Sequence, residues 1–591
     1  MEQPPLTPMS LGALLGRIAH EWETRGRIFD LMSARIWKPD PDVDLSFDFL
    51  GRPAATPIGP AAGPHTQMAQ NIVLAWLGGS RIFELKTVQV IDDLDIARPC
   101  IDMETIGYNI EWSQELAVPV TIDEYVKAWM IIEILKRWEP LREYLGDDTG
   151  PMVFDMSVGY DLEGISSDKV RNFIETMKDA SERIEALRSE IPDPFLEFRD
   201  LEFPPAISDT LTLSTFHGCP PDEIDAIVRY LMTEHDLDVI VKLNPTLLGF
   251  EDVESMLHDT LGYDDVTVTR EAFDADLQFD RAVTLIGELG TFADSLGRKF
   301  GIKLSNTLVV SNEKGWLPDD PMYLSGPPLH VISSTILDRL VTELPGVFDL
   351  PGQGGDRIVS FSAGVRKENV SDTIAMGVGP ATICTDLLKP GGYGRLKPTL
   401  KALAADIAAS GQSSLTAWKQ TKLAEARANG HRDWVASHIA SIVGDDIGLY
   451  NKEGNSKKLR EVDNELQMWG CVACNLCVTV CPNDAFVKLP SPNRLASEIG
   501  GRWQYLVFAE LCNECGNCMT FCPEVGDPAQ IKPKLWLDEA RFEGAEGQGF
   551  LLVASGRGIV PIASEGWEHE IPTLAAVIAG DQGVPIRATD I

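Results

Sequence analysis

The sequence predicts an α/β protein: a (β/α)8 barrel of parallel strands behind a helical N-terminal extension, then a small cysteine-organised domain. Two observations predict it. Between about residues 54 and 400, eight short, continuous apolar runs alternate with longer helical stretches. Beyond residue 460, eight of the eleven cysteines fall into two copies of one spacing.

In chain order, residues 1–50 read as an amphipathic helical extension, with Leu11, Leu14, Leu15 and Ile18 at helical spacing. The barrel is expected over 51–400. Its strand candidates are TPIGPAAG (56–63), RIFELKT (81–87), MVFDMSVGY (152–160), LTLST (211–215), VIVKLNP (239–245), GIKLSNT (301–307), RIVSFSAG (357–364) and PATICTD (380–386). Each run is continuous rather than alternating, as parallel strands buried on both faces require. Helical stretches at 222–235 and 279–297 lie between them. The longest insertions fall between the second and third strands and between the third and fourth. One of them carries a stretch at 120–146 that reads as an amphipathic helix. A helical linker over 401–460 ends in the loose stretch NKEGNSKK. The cysteine domain is placed at 461–540, and a tail at 541–591 holds two β-like runs, GFLLVA and GIVPIA.

The cysteines are Cys471, Cys474, Cys477 and Cys481, followed by Pro482, and Cys512, Cys515, Cys518 and Cys522, followed by Pro523. Both copies read C-x2-C-x2-C-x3-C-P, the spacing that holds paired 4Fe–4S clusters in bacterial ferredoxins. Three thiolates from one tight loop grip three corners of a cubane, and the fourth reaches the other cluster. Cys471, Cys474, Cys477 and Cys522 are therefore expected to hold one cluster, and Cys512, Cys515, Cys518 and Cys481 the other. Structural zinc and disulfides are the alternatives, and both suit this dense, proline-terminated spacing less well. Such a chain moves electrons singly.

The net charge of −38 argues against nucleic acid, which needs a basic footprint. It fits either a surface that steers a basic partner or a solvated surface in a salty cytoplasm. Hydrophobic content of 44% and charged content of 24% are those of a globular protein. No run of 18 or more apolar residues occurs, so no membrane span is expected. The N-terminus lacks the basic start and apolar block of a signal peptide, so a cytoplasmic location is expected.

Catalytic and cofactor groups of such a barrel gather where its strands end. There the runs carry Glu84, Lys86, Asp155, Asp161, Ser214, His217, Cys219, Lys242, Asn244, Asn306, Thr307, Gly364 and Thr385. Lysines, amides, hydroxyls and a thiol converging on one mouth suit a flavin edge, a phosphate and a polar heterocycle.

These residues resemble the FMN domain of dihydroorotate and dihydropyrimidine dehydrogenases, in order and spacing from about residue 54 to 400. ELKT, with Lys86, resembles that family's T-K-T. KLNP resembles its K-L-T-P, so Lys242 is implied to reach the flavin ring and stabilise its reduced, anionic form. LSNT resembles its T-N-T, implying that Asn306, with Thr307, binds ring atoms. SAGV around Gly364 and the stretch at Thr385 resemble its phosphate-gripping loops. The resemblance thus implies an FMN-type barrel ending, as dihydropyrimidine dehydrogenase does, in two 4Fe–4S clusters. Its acid/base cysteine maps to Cys219, although the family's N-x-S-C has become S-T-F-H-G-C, which brings in His217 as the alternative. Asp161 stands where relatives place a substrate-binding asparagine and is equally suited to cap a helix. Ser214 and Asn244 complete the expected substrate contacts. His65 and Thr66 either face the flavin or cap a helix, while Cys100 and Cys384 read as packing residues and His330 as structural or exposed.

STFHGCPPDEI, KLNPTLLG, TDLLKPGGYGRL and CNECGNC also resemble the bacterial selenate-reductase-type iron–sulfur subunits, across nearly the whole chain. Longer members of that family carry an FAD- and NAD(P)H-binding domain. No G-x-G-x-x-G fingerprint stands here, and GQGGD from 352 has the wrong spacing. The resemblance therefore implies an FAD-containing NAD(P)H oxidoreductase subunit or a ferredoxin as redox partner, in a hetero-oligomer. The expected function is hydrogenation or dehydrogenation of a carbonyl-conjugated double bond in a small nitrogen heterocycle, pyrimidine or oxopurine. One alternative is an electron-transfer subunit of a molybdenum-containing, selenate-reductase-like complex without its own substrate. Another is a flavin-free barrel that scaffolds the clusters.

Overall fold

The computed structural model describes all residues except 1–5, 93, 111–112, 147, 494, 546–548, 556–557, 580–582 and 587–591. Eight parallel strands form the barrel: β1 (Ile58–Pro60), β2 (Ile82–Glu84), β3 (Val153–Val158), β4 (Thr210–Ser214), β5 (Asp238–Leu243), β6 (Phe300–Leu304), β7 (Ile358–Phe361) and β8 (Ala381–Ile383). Each lies inside or within a residue of one of the eight apolar runs. Their order is sequential around the ring, and β8 pairs back onto β1. The seam between β1 and β2 is closed by the Arg81 N–H on the Ile58 carbonyl at 3.3 Å. Gly59 permits that approach, because a Cβ there would lie 1.6 Å from the Ile82 carbonyl oxygen. Nearly every barrel-strand residue is buried, as strands covered on both faces must be.

The N-terminal helix is shorter than expected. α1 (Leu11–Arg25) begins at Ser10, whose Oγ accepts the Ala13 N–H, and buries Leu11, Leu14, Leu15 and Ile18 completely. Residues 26–50 are short hairpin strands, a 3-10 turn at Ser33–Arg35 and extended chain. Arg17, wholly buried within α1, pairs with Glu21 at 2.6 Å and with Asp484 of the cysteine domain at 2.7 Å. A single contiguous apolar core accordingly takes in this helix, the barrel and the cysteine domain.

The stretch at 120–146 also differs from its expected form. It is two helices, α2 (Val118–Leu135) and a short one at Glu139–Leu145, and α2 is buried on nearly all sides. The reason is that both of its faces are covered. Lys127 donates to the Met9 carbonyl at 2.7 Å, Trp129 to that of Pro204 at 3.0 Å, and the Trp129 ring meets Phe154 of β3.

Two further sheets position the site. Ile101–Asp102, Tyr108–Asn109, Leu308–Val310 and Met322–Leu324 form an antiparallel cap beside the strand ends. The cysteine domain and the tail share one sheet: β9 (Phe486–Pro490), β10 (Trp503–Phe508), β11 (Lys534–Trp536), β12 (Phe550–Ser555) and β13 (Gly558–Ala563). The tail's two β-like runs are β12 and β13. Among the described residues no helix is long and apolar enough to cross a membrane.

Candidate functional site at the barrel mouth

The strand ends enclose a cavity of about 240 Å³. Of the residues singled out in the sequence, Ser214, His217, Lys242, Asn306, Thr307, Gly364 and Thr385 line it; Lys86, Asp161, Cys219 and Asn244 do not. Tyr323 and Ser325 of the cap and Cys384, the residue after β8, add to its wall.

Beneath it lies an ionic centre inside the barrel. Glu84 of β2 is wholly buried and accepts from Lys242 of β5 at 3.1 Å, from Lys303 of β6 at 3.0 Å and from the Ala62 N–H at 3.1 Å. Burial pushes this carboxyl up, but the two ammonium groups outweigh it and hold it at about 2. Lys303 also reaches Ser360 and Thr382 at 3.0 and 2.8 Å. Asp155 of β3 accepts from Thr210 and Thr212 at 2.7 and 2.6 Å, and burial raises its carboxyl to about 6. Sequence reasoning passed over Lys303. A lysine within a strand buried on both faces needs an internal counter-charge, and that was the available signal.

On one side of the mouth, His217 Nδ1 lies 2.8 Å from Asp276 Oδ2 and Nε2 lies 3.2 Å from the Thr307 carbonyl, with the ring stacked on Tyr323. Asp276 also accepts from Thr246 at 2.7 Å, Asn244 at 3.2 Å and the Gly218 N–H. These bonds overcome its burial and keep the carboxyl below the usual range. Asp276 is a site residue the sequence did not reveal. Asn306 donates to the Thr215 carbonyl and to Asn244 Oδ1, both at 2.8 Å, and accepts from Ser214 at 3.3 Å. Its oxygen therefore retains the free capacity, and Asn244 acts from behind it. Cys219 is buried off the cavity, and its thiol is pushed up to about 12 by burial, then by Glu223, Asp276 and Asp161. Asp161 caps the short helix Leu162–Ile165 by accepting the Gly164 N–H at 2.8 Å.

The opposite end is a cradle of glycines and hydroxyls. Gly364 has φ +54°, and a Cβ there would sit 2.4 Å from the Gly326 carbonyl oxygen. Thr385 Oγ1 lies 3.0 Å from Ser325 Oγ. A cation at the floor and a glycine cradle at the far end fit the ring and phosphate of a flavin mononucleotide.

Lys86 turns away from the cavity, towards Gln67 and Glu115, the latter at 3.3 Å. Glu115 also binds Arg98 at 2.5 Å and accepts from Asn513 Nδ2 at 3.0 Å. The Cys515 carbonyl accepts the Cys100 and Ile101 N–H groups at 3.2 and 3.0 Å. Lys86 thus joins the barrel to the second cysteine copy. Cys471, Cys474, Cys477 and Cys522 surround one small pocket. Cys481 lies among Cys512, Cys515 and Cys518, each thiol pushed up by burial and then by its neighbours. His65 packs edge-on against Tyr393, whose hydroxyl donates to the Pro482 carbonyl at 2.8 Å, so it faces this seam rather than the cavity.

A barrel with a cation-floored mouth is thus fastened to a cysteine-rich domain. Residues 29–434 match a family described as the N-terminal TIM-barrel domain of oxidoreductase YgfK, and 466–525 match a 4Fe-4S dicluster domain. The chain belongs to the YgfK oxidoreductase family. The YgfK proteins of Escherichia coli K12 and O157:H7 are each 38% identical to it over 418 residues, which is 67% of this chain and 39% of theirs. The chain thus spans about two-fifths of the length of these curated relatives. Among solved structures, it is similar to DHODH from Eimeria tenella in complex with ferulenol (13% identity, TM-score 0.40, 70% of this chain and 96% of that one). The ligand-free form is similar at 15% identity and TM-score 0.37, covering 68% and 96%.

Proposed function

We propose that this chain hydrogenates or dehydrogenates a carbonyl-conjugated double bond of a nitrogen heterocycle, pyrimidine or oxopurine, using FMN held in the barrel mouth. Its two cysteine quartets hold two 4Fe–4S clusters. These would carry electrons between FMN and an FAD-containing NAD(P)H oxidoreductase subunit or a ferredoxin. The observation that carries this reading is one cavity combining the Lys242 ammonium, the His217–Asp276 pair, Asn306 and the Gly364–Thr385 cradle, with a cysteine quartet fastened to the same barrel.

Bound FMN supplies hydride exchange at N5 and divides the electron pair into the single electrons that clusters carry. The chain's own residues do the rest. Glu84 anchors Lys242 from below, which fixes a positive charge at the cavity floor. Gly364, Thr385 and Ser325 would hold the phosphate end. Asn306, fixed by Thr215 and Asn244, offers its oxygen to a ring N–H. His217 is the acid/base: Asp276 holds the Nδ1 proton, and the Nε2 proton, on the weaker bond to Thr307, is the one the ring can give up.

The alternative, an electron-transfer subunit without a substrate, is favoured by one observation: the buried Cys219 is off the cavity. Anaerobically purified protein, assayed for bound FMN and iron and then titrated with the dihydro forms of pyrimidines and oxopurines, separates the readings. Bleaching of the flavin by a heterocycle, lost in H217N and kept in C219A, is expected. A chain that binds FMN but is reduced by no heterocycle is an electron-transfer subunit, and one that binds no FMN sinks both flavin readings.

A further inference from the structure

We propose that His330, His438 and Asn369 form a brace that positions the Ala363–Val365 loop to bind a phosphate monoester. It rests on the function proposed above, under which that monoester is the phosphate of FMN. Two carbonyls of the loop are tied from behind. His330 Nδ1 donates to the Ala363 carbonyl at 2.8 Å, and Asn369 Nδ2 donates to that of Gly364 at 3.0 Å. In a trans peptide the C=O and the following N–H point in opposite directions. Holding these two carbonyls on the brace side therefore aims the N–H groups of Gly364 and Val365 the other way, on a loop where both residues line the cavity. Successive N–H groups at a left-handed residue make an anion-binding concavity, and Gly364 has the required φ.

The brace is itself held by the segment that follows the barrel, which the sequence offered only as a linker. His438, on the helix Trp434–Ile442, places its Nε2 2.9 Å from His330 Nε2, and Tyr450 stacks on the His330 ring at 5.1 Å. The hydrogens follow from the partners. His330 Nδ1 faces a carbonyl and must carry a hydrogen, so in the neutral ring Nε2 is the acceptor and His438 Nε2–H the donor. Burial lowers both rings' basicity, His438 to about 4, so the brace adds no charge behind the anion site. Asn369 Oδ1 accepts the Arg366 N–H at 2.8 Å, which fixes the amide's orientation.

The test compares FMN with riboflavin, which differ only in the phosphate, by fluorescence titration of the flavin-stripped, cluster-loaded full chain. H438F keeps an aromatic ring and removes the donor to His330. It should weaken FMN binding about tenfold, the scale of one buried group left unpaired, and leave riboflavin binding within about twofold. H438Q, whose amide can donate to His330, should restore the preference. If H438F does not fold, Y450F reads the same ratio by removing the hydroxyl that is hydrogen-bonded to Asn369. An unchanged FMN-to-riboflavin ratio in the folded variant overturns the brace. A wild-type chain that binds the two flavins equally instead overturns the functional reading, and the brace falls with it.

Discussion

Replacing Glu84 with Gln removes, among the described residues, the only carboxylate that pairs with both Lys242 and Lys303 while keeping its shape. The carboxyl is held at about 2 against an ordinary 4.5, a gap worth about 3 kcal/mol at 1.36 kcal/mol per pH unit. Because its folded value is depressed, this stabilisation is fully present above about pH 4.5 and is lost as pH falls through 2. At neutral pH the variant should therefore lose all of it, in line with the roughly 3–5 kcal/mol cost of stripping one partner from a buried ion pair. A chain of this length unfolds with an entropy of about 1.2 kcal/mol/K, so the expected drop in Tm is about 3 °C by calorimetry at pH 7.5. E84Q/K303M, which removes one uncompensated ammonium as well, should recover at least half of the drop. An E84Q protein melting within about 1 °C of wild type would refute the argument, because two buried ammonium groups would then tolerate the loss of their shared counter-ion.

Three further outcomes follow from the site. Cys481→Ala should halve the bound iron and abolish the reduced-cluster EPR signal of the Cys512, Cys515 and Cys518 set, although Cys481 belongs to the first motif; loss of the other set's signal instead would refute the crossed pairing. H217N should lower turnover about a hundredfold or more with flavin content unchanged, and an undiminished rate would remove His217 as the acid/base. Asp155 is the reverse of Glu84: its folded value, about 6, stands above the ordinary 3.8, so its contribution is full below about pH 4 and is lost as pH rises through 6. D155N should therefore gain in Tm over wild type across that window and hold a constant lead above about pH 7. A difference that does not vary with pH would count against a protonated Asp155.

What could be read from the sequence, and what could not, divides by the range of the interaction. The barrel strands were legible because burial on both faces makes each a continuous apolar run, and the cysteine quartets because the ligand spacing is set within one loop. Lys242, Asn306 and Gly364 were found because they sit at strand ends, where β–α topology alone places a residue at the mouth. The misreadings involve distant partners. The polar face of α2 has its Lys127 bonded to the Met9 carbonyl, so a pattern that reads as solvent-facing is a contact with another layer. Cys219 lies on a loop lengthened relative to the resembled motif, and motif order cannot say which side chain the longer loop turns inward. The loop turns His217 to the cavity because Asp276, 59 residues on, accepts both its Nδ1 and the Gly218 backbone. A carboxylate that fixes a loop's rotation from that far leaves no local pattern. That His217 rather than Cys219 lines the cavity is therefore visible only in the geometry, whereas the residues proposed to hold FMN and the clusters sit where topology or spacing alone places them.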